Sequence, residues 1–89
     1  MDKGIIYSEK PNPFIDSIEI NYGVFQKANV RISVYDFRGN IVEVLLEKML
    51  SPNKYSVIWK PKKNIAKGHY FISIMMNDLQ VHYTKVFKQ

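Results

Sequence analysis

Val30-Arg31-Ile32-Ser33-Val34-Tyr35-Asp36-Phe37-Arg38-Gly39-Asn40 is the stretch that decides the fold. Val30, Ile32 and Val34 alternate with Arg31 and Ser33, the period of two that buries one face of a strand. Gly39-Asn40 then reads as a tight two-residue turn, because both residues accept positive φ at little cost. A second apolar run, Ile41 to Leu46, follows at once, and strand, turn and strand make a hairpin.

That hairpin carries a built-in irregularity. A two-residue turn sets Phe37 opposite Val42, Val34 opposite Leu45 and Ile32 opposite Glu47. These pairings mix the two faces, and a β-bulge beyond Val42 restores them. Val42, Leu45, Leu46 and Met49 also form a helical stripe, but the β-branched start and the preceding turn favour a strand.

Working outward, Gly4 to Tyr7 is a short apolar strand. Pro11-Asn12-Pro13-Phe14 follows as a rigid connector, because proline lacks the ladder N–H. Phe14 is its apolar peg. Ile18, Ile20 and Tyr22 or Val24 mark a strand over residues 17–24. Past the hairpin, Ser51-Pro52-Asn53-Lys54 is a turn cluster. Tyr55, Val57 and Trp59 alternate with polar residues in a further strand. Residues 60–67 (KPKKNIAK) form a basic loop. From Gly68, Tyr70, Ile72, Ile74 and Met76 mark one strand face. Asn77-Asp78 suits a primed turn into a last strand over residues 79–87. In that register Ile74 faces Val81, Ile72 faces Tyr83, His82 faces Ser73 and His69 lies near Val86. Seven short strands with regularly spaced turns predict an all-β, antiparallel, immunoglobulin-like sandwich. Its expected core is Trp59, Val57, Ile32, Val34, Ile72 and Ile74.

Composition narrows the function. A chain of 89 residues, 46% hydrophobic, makes one small domain. It has no cysteine, so disulfides and thiolate metal sites are excluded. No apolar run approaches the roughly 18 residues of a membrane-spanning helix, so membrane insertion is not expected. The net charge is +5, unevenly placed: residues 1–53 hold six Lys/Arg against seven Asp/Glu, and residues 54–89 hold seven Lys against Asp78 alone. An anionic partner such as nucleic acid or lipopolysaccharide suits that half. A solvated lysine face that blunts sheet edges suits it better, given two arginines and no basic helix. Nucleic acid is therefore not an expected partner.

Little chemistry is visible. His69 and His82 fall on different strands with no carboxylate beside them, so no metal and no cofactor is expected. Asp36 lacks the further acids a calcium loop needs and reads as a side-chain cap on its own turn. No nucleophile–base arrangement or glycine-rich phosphate loop appears, so no catalytic residue is assigned.

The ordered landmarks carry a resemblance. They are Pro11-Asn12-Pro13-Phe14, then Val34-Tyr35-Asp36 with Gly39, then Tyr55-x-Val57-x-Trp59, Gly68-x-Tyr70-Phe71, and Lys85-Val86-Phe87-Lys88 at the end. Together they resemble the type A C-terminal sorting domain of the type IX secretion system of Bacteroidota. Residues 1–10 then hold the end of a linker and the first strand, and residues 11–89 the sorting domain. The resemblance implies a sorting signal for a cargo domain N-terminal to this chain. The cargo passes from the periplasm through an outer-membrane translocon to the surface or the medium. A sortase-like protease then usually removes the domain, at a site upstream of about Tyr7. Relatives carry more glycine where this chain has residues 60–67, and a small aliphatic residue where it has His69. Lys85, Val86, Phe87 and Lys88 are the candidate translocon-recognition element, on a strand expected to have an open outer edge; alternatively they only complete the sheet. The competing function is an immunoglobulin-like binding or spacer module of a cell-surface protein.

Overall fold

The computed structural model describes residues 3–89. Its elements are β1 (Gly4–Lys10), β2 (Ile18–Val24), β3 (Ala28–Asp36), β4 (Ile41–Leu50), β5 (Asn53–Trp59), β6 (Gly68–Met76) and β7 (Leu79–Lys88). They form two antiparallel sheets, one ordered β1-β2-β5 and the other β4-β3-β6-β7. The chain is thus an all-β, immunoglobulin-like sandwich, and no helix occurs among the described residues.

Period-two patterning builds the core. Ile18, Ile20, Tyr22 and Val24 of β2 face Val30, Ile32 and Val34 of β3 and Tyr70, Ile72, Ile74 and Met76 of β6, all buried. Val57, expected in the core, is only partly buried and packs against it from β5, a strand with a hydrogen-bonded neighbour on one side only.

The β3–β4 turn differs from the two-residue expectation. Asp36 N–H donates to Asn40 O (2.9 Å), and Gly39 N–H donates to Asp36 O (3.0 Å). The loop therefore comprises Phe37, Arg38 and Gly39, with Gly39 at φ 85° in the left-handed region. The cause is Asp36. Its Oδ1 accepts from the Asn40 and Arg38 amides, each at 2.9 Å, and so claims the inside of the turn. Those donors, the Asn40 amide foremost, hold the carboxyl below the usual carboxylate range. Bulges follow at Val42, which is skipped between Ile41 and Glu43, and beyond it at Leu45. They return Val42, Leu45 and Leu46 to the margin of the core.

Asn77 (φ 51°) and Asp78 (φ 67°) form the expected primed turn between β6 and β7. One residue is then skipped at Val81, so the expected register shifts. Ile74 pairs with His82, Ser73 with Tyr83, Ile72 with Thr84, Tyr70 with Val86 and His69 with Phe87. The bulge keeps Val86 in the core, 1% exposed.

One end of the sandwich closes on three rings. Trp59 is fully buried between Phe14 (centroids 5.3 Å apart) and Tyr70 (5.4 Å). Tyr70 OH donates to Ala66 O four residues upstream at 2.5 Å. This is the corner arrangement that fixes a strand start in such sandwiches. Gly68, at φ 138°, makes the reversal that β-carbon-bearing residues resist.

Two outcomes follow. Trp59→Ala removes the middle ring, and chemical denaturation should show a loss of about 3–5 kcal/mol. Burial, with Tyr55 stacked 5.6 Å away, pushes the Tyr22 hydroxyl up to about 12. Above about pH 10 the unfolded chain releases this proton and the folded chain keeps it, so stability falls as pH rises from about 10 to about 12. Tyr22→Phe should flatten that alkaline decline in a pH series of urea midpoints.

Candidate functional site

The candidate recognition strand, β7, is tied along its outer side to the start of the chain. His82 Nδ1 accepts the Ile6 amide at 2.9 Å. Thr84 Oγ1 donates to Glu9 Oε1 at 3.0 Å. Asn12 Oδ1 then accepts the Phe87 amide (3.0 Å), while its Nδ2 donates to Lys85 O (3.4 Å). Finally Phe14 N–H donates to Phe87 O (3.0 Å), and Gln89 N–H donates to Phe14 O (2.8 Å).

These contacts explain the connector chemically. Pro11 and Pro13 lack N–H groups and leave Asn12 between them exposed, and its side-chain amide uses one N–H donor and its oxygen acceptor on β7. That pair copies the pattern of a neighbouring strand. Phe14 follows as a short parallel bridge to Lys88 and sinks its ring beside Trp59. The outer edge expected to be open over residues 85–89 is thus occupied by residues 12–14 of the same chain.

The four recognition candidates separate by environment. Val86 is buried in the core, and Lys85 is exposed. Phe87 is partly exposed, with His69 edge-on at 4.8 Å. Lys88 is half-buried: its Nζ donates to Ile15 O (2.6 Å) and Gln89 O (2.8 Å) and lies 5.9 Å from the Phe14 ring centre. Lys88 therefore works as a third tie on the connector, which its charge alone in the sequence did not reveal.

The other motif residues fall into two groups. Phe14, Trp59, Gly68 and Tyr70 meet at the closed end just described, with Asp36 paired to Tyr70 across the sheet. Burial, assisted by the Asp36 carboxylate, raises the Tyr70 hydroxyl above its ordinary value. Val34 is core, whereas Tyr35 lies on the outer face of the four-stranded sheet. There Tyr35, Phe37, Phe71 and Tyr83 line an open hollow of about 290 Å³ floored by Ser73. Ser73 donates to Gln80 Oε1 at 3.0 Å, and both Asp36 oxygens are already engaged with the turn. Among the described residues no group of three or more His, Asp or Glu converges as a metal site. The surface offers shape, aromatic area and charge for docking.

A family model described as the secretion system C-terminal sorting domain matches residues 6–89. No curated protein matches the chain. Among solved structures, the whole chain superposes on 31% of the Pseudomonas fluorescens alkylpurine DNA glycosylase AlkC bound to DNA containing an abasic site analog, with a TM-score of 0.71 and 11% identity. It also superposes on 14% of a β-glucosidase from Kluyveromyces marxianus, with a TM-score of 0.69 and 11% identity. The chain therefore spans under a third of either protein, and at such identity the likeness is one of fold.

Removing the side-chain amide tests the clasp. Asn12→Ala should lower stability by about 1 kcal/mol. Hydrogen exchange should speed up at the Phe87 amide and stay unchanged in the β3–β6 ladder.

Proposed function

The chain belongs to the type IX secretion system C-terminal sorting domain family, and from that premise we propose that it is a non-catalytic address. It directs a folded cargo domain, N-terminal to it, from the periplasm through an outer-membrane translocon. A sortase-like protease then usually removes it, leaving the cargo at the surface or in the medium. The match over residues 6–89 carries this reading. Neither nucleic acid nor a cofactor takes part.

The closed end of the sandwich and the ties on β7 support a specific division of labour. Val86 and Lys88 hold β7 in place, and Lys85 with the exposed part of Phe87 is what the translocon reads. Strand addition at residues 85–89 is not used while Asn12 and Phe14 occupy that edge. Pro11, Asn12, Pro13, Phe14, Val34, Asp36, Gly39, Trp59, Gly68 and Tyr70 serve the fold. The cleavage site lies in a linker upstream of about Tyr7; the pairing of β1 with β2 from Gly4 onward supports cleavage ahead of that folded strand.

The test is a reporter with a periplasmic signal fused ahead of residues 1–89, expressed in a host with the secretion system. Delivery to the surface or medium is expected; a folded fusion retained in the periplasm contradicts the reading. Lys85→Ala changes an exposed side chain and should alter stability by no more than about 0.5 kcal/mol. Its delivery should nonetheless fall several-fold, and undiminished delivery would remove Lys85 from the recognition element.

A further inference from the structure

The antiparallel registers place four chain segments at one end of the molecule. β1 ends there at Lys10 opposite Glu19, β5 ends at Trp59 opposite Ile18, and β3 ends at Asp36 opposite Tyr70. Lys88 meets Gly68 on one side and Phe14 on the other, which joins the two sheets at this pole. Residues 10–17, 37–40, 60–67 and 85–89 hold Lys10, Arg38, Lys60, Lys62, Lys63, Lys67, Lys85 and Lys88 against Asp16, with Glu19, Asp36 and Glu43 on the adjoining strand ends. Among the described residues the ion pairs are those of Arg31 with Glu47 (3.6 Å) and Asp78 (3.7 Å). These lie toward the opposite end, where Arg31 pairs with Met75 beside the β6–β7 turn. None of the pole's lysines is neutralised by such a pair.

The 60–67 loop stands between two hollows. One, of about 380 Å³, is lined by Lys60, Lys62, Lys63 and Lys88 with Ile15 and Pro61, and Asp16 is its only acid. The other, of about 390 Å³, continues round Lys62 and Lys63 to Ile65 and Val42, with Glu43 on its rim. Large apolar side chains stand exposed at this end: Ile15, at 62%, among the lysines, and Phe37 at 74% and Ile41 at 57% on the β3–β4 turn.

We propose that this lysine pole is a docking surface for an acidic, partly apolar face of a protein. The proposal rests on the sorting-domain reading and names the surface by which the domain meets its machinery. Charge complementarity sets the sign of the partner, and unpaired lysines speed encounter with carboxylates. The mixture of isoleucine and lysine selects a protein over a phosphorylated glycan or lipid. Exposed apolar side chains beside the charges, Ile15 among them, are what a protein interface dries. Phosphate recognition favours the arginine fork, and the pole's one arginine, Arg38, lies over Phe37 at 5.4 Å. The pole goes beyond Lys85 and Phe87: half of its eight cationic residues come from residues 60–67.

Two charge-matched variants of the reporter fusion test it. One carries Lys60→Glu, Lys62→Glu and Lys63→Glu at the pole. The other carries Lys27→Glu, Lys48→Glu and Lys54→Glu, exposed lysines at the far end. Circular dichroism and urea midpoints check that both fold. Delivery should fall about tenfold or more for the pole variant, the effect of losing about 1.4 kcal/mol of binding, and stay near the unmodified level for the control. Equal loss in both would reduce the effect to net charge and overturn the proposal. Full delivery of the folded pole variant would also overturn it while leaving the sorting reading standing. Failure of the unmodified fusion would overturn the sorting reading and this inference together. If the pole variant is impaired, the purified chain is titrated with lipopolysaccharide vesicles; tight binding lost on the same three substitutions would assign the pole to a glycolipid and refute a protein occupant.

Discussion

Trp59 sits between Phe14 and Tyr70, and the closed end of the sandwich depends on that contact. Each ring comes from a different part of the chain: the connector, β5 of one sheet and β6 of the other. The indole N–H has no partner among the described residues, so packing, and no side-chain hydrogen bond, holds the ring. Aromatic pairs at such distances add about 0.5–1.5 kcal/mol each beyond area burial. Without the central ring, Phe14 has nothing to seat against, and the connector loses its anchor.

The anchor has a consequence for the terminal strand. Once Phe14 is seated, its backbone pairs with Phe87 and Gln89, and Asn12 lies where its amide meets Lys85 and Phe87. The address is therefore a folded object, assembled from segments more than 70 residues apart. Strand edges invite pairing with other chains. Here residues 12–14 cover the edge of residues 85–89 and close it to such pairing.

Much of the fold was legible in residue order. Alternation, short apolar runs and turn residues together located the seven strands; alternation was clearest in β2, where Ile18, Ile20, Tyr22 and Val24 are buried. Asp36 declared itself as a turn cap, yet its reach to Asn40 lengthened the loop and moved the register, which pairwise reading of the two strands missed. The Val81 bulge was hidden for a related reason: it is set by Val86 entering the core and by His82 reaching Ile6 across the seam. Lysines were countable from the start. Their convergence at one pole was not, since it depends on how β1, β3, β5 and β7 all end on the same side. Nor did charge distinguish Lys85, exposed, from Lys88, which is tied to Ile15 O.

The central claim is that the connector and the core act as one unit through the Phe14–Trp59 contact. A double-mutant cycle on urea unfolding with Phe14→Leu and Trp59→Phe measures that coupling directly. The account predicts a coupling free energy above about 0.5 kcal/mol. Additive effects within error would show that the connector and the core are energetically independent, and would contradict it.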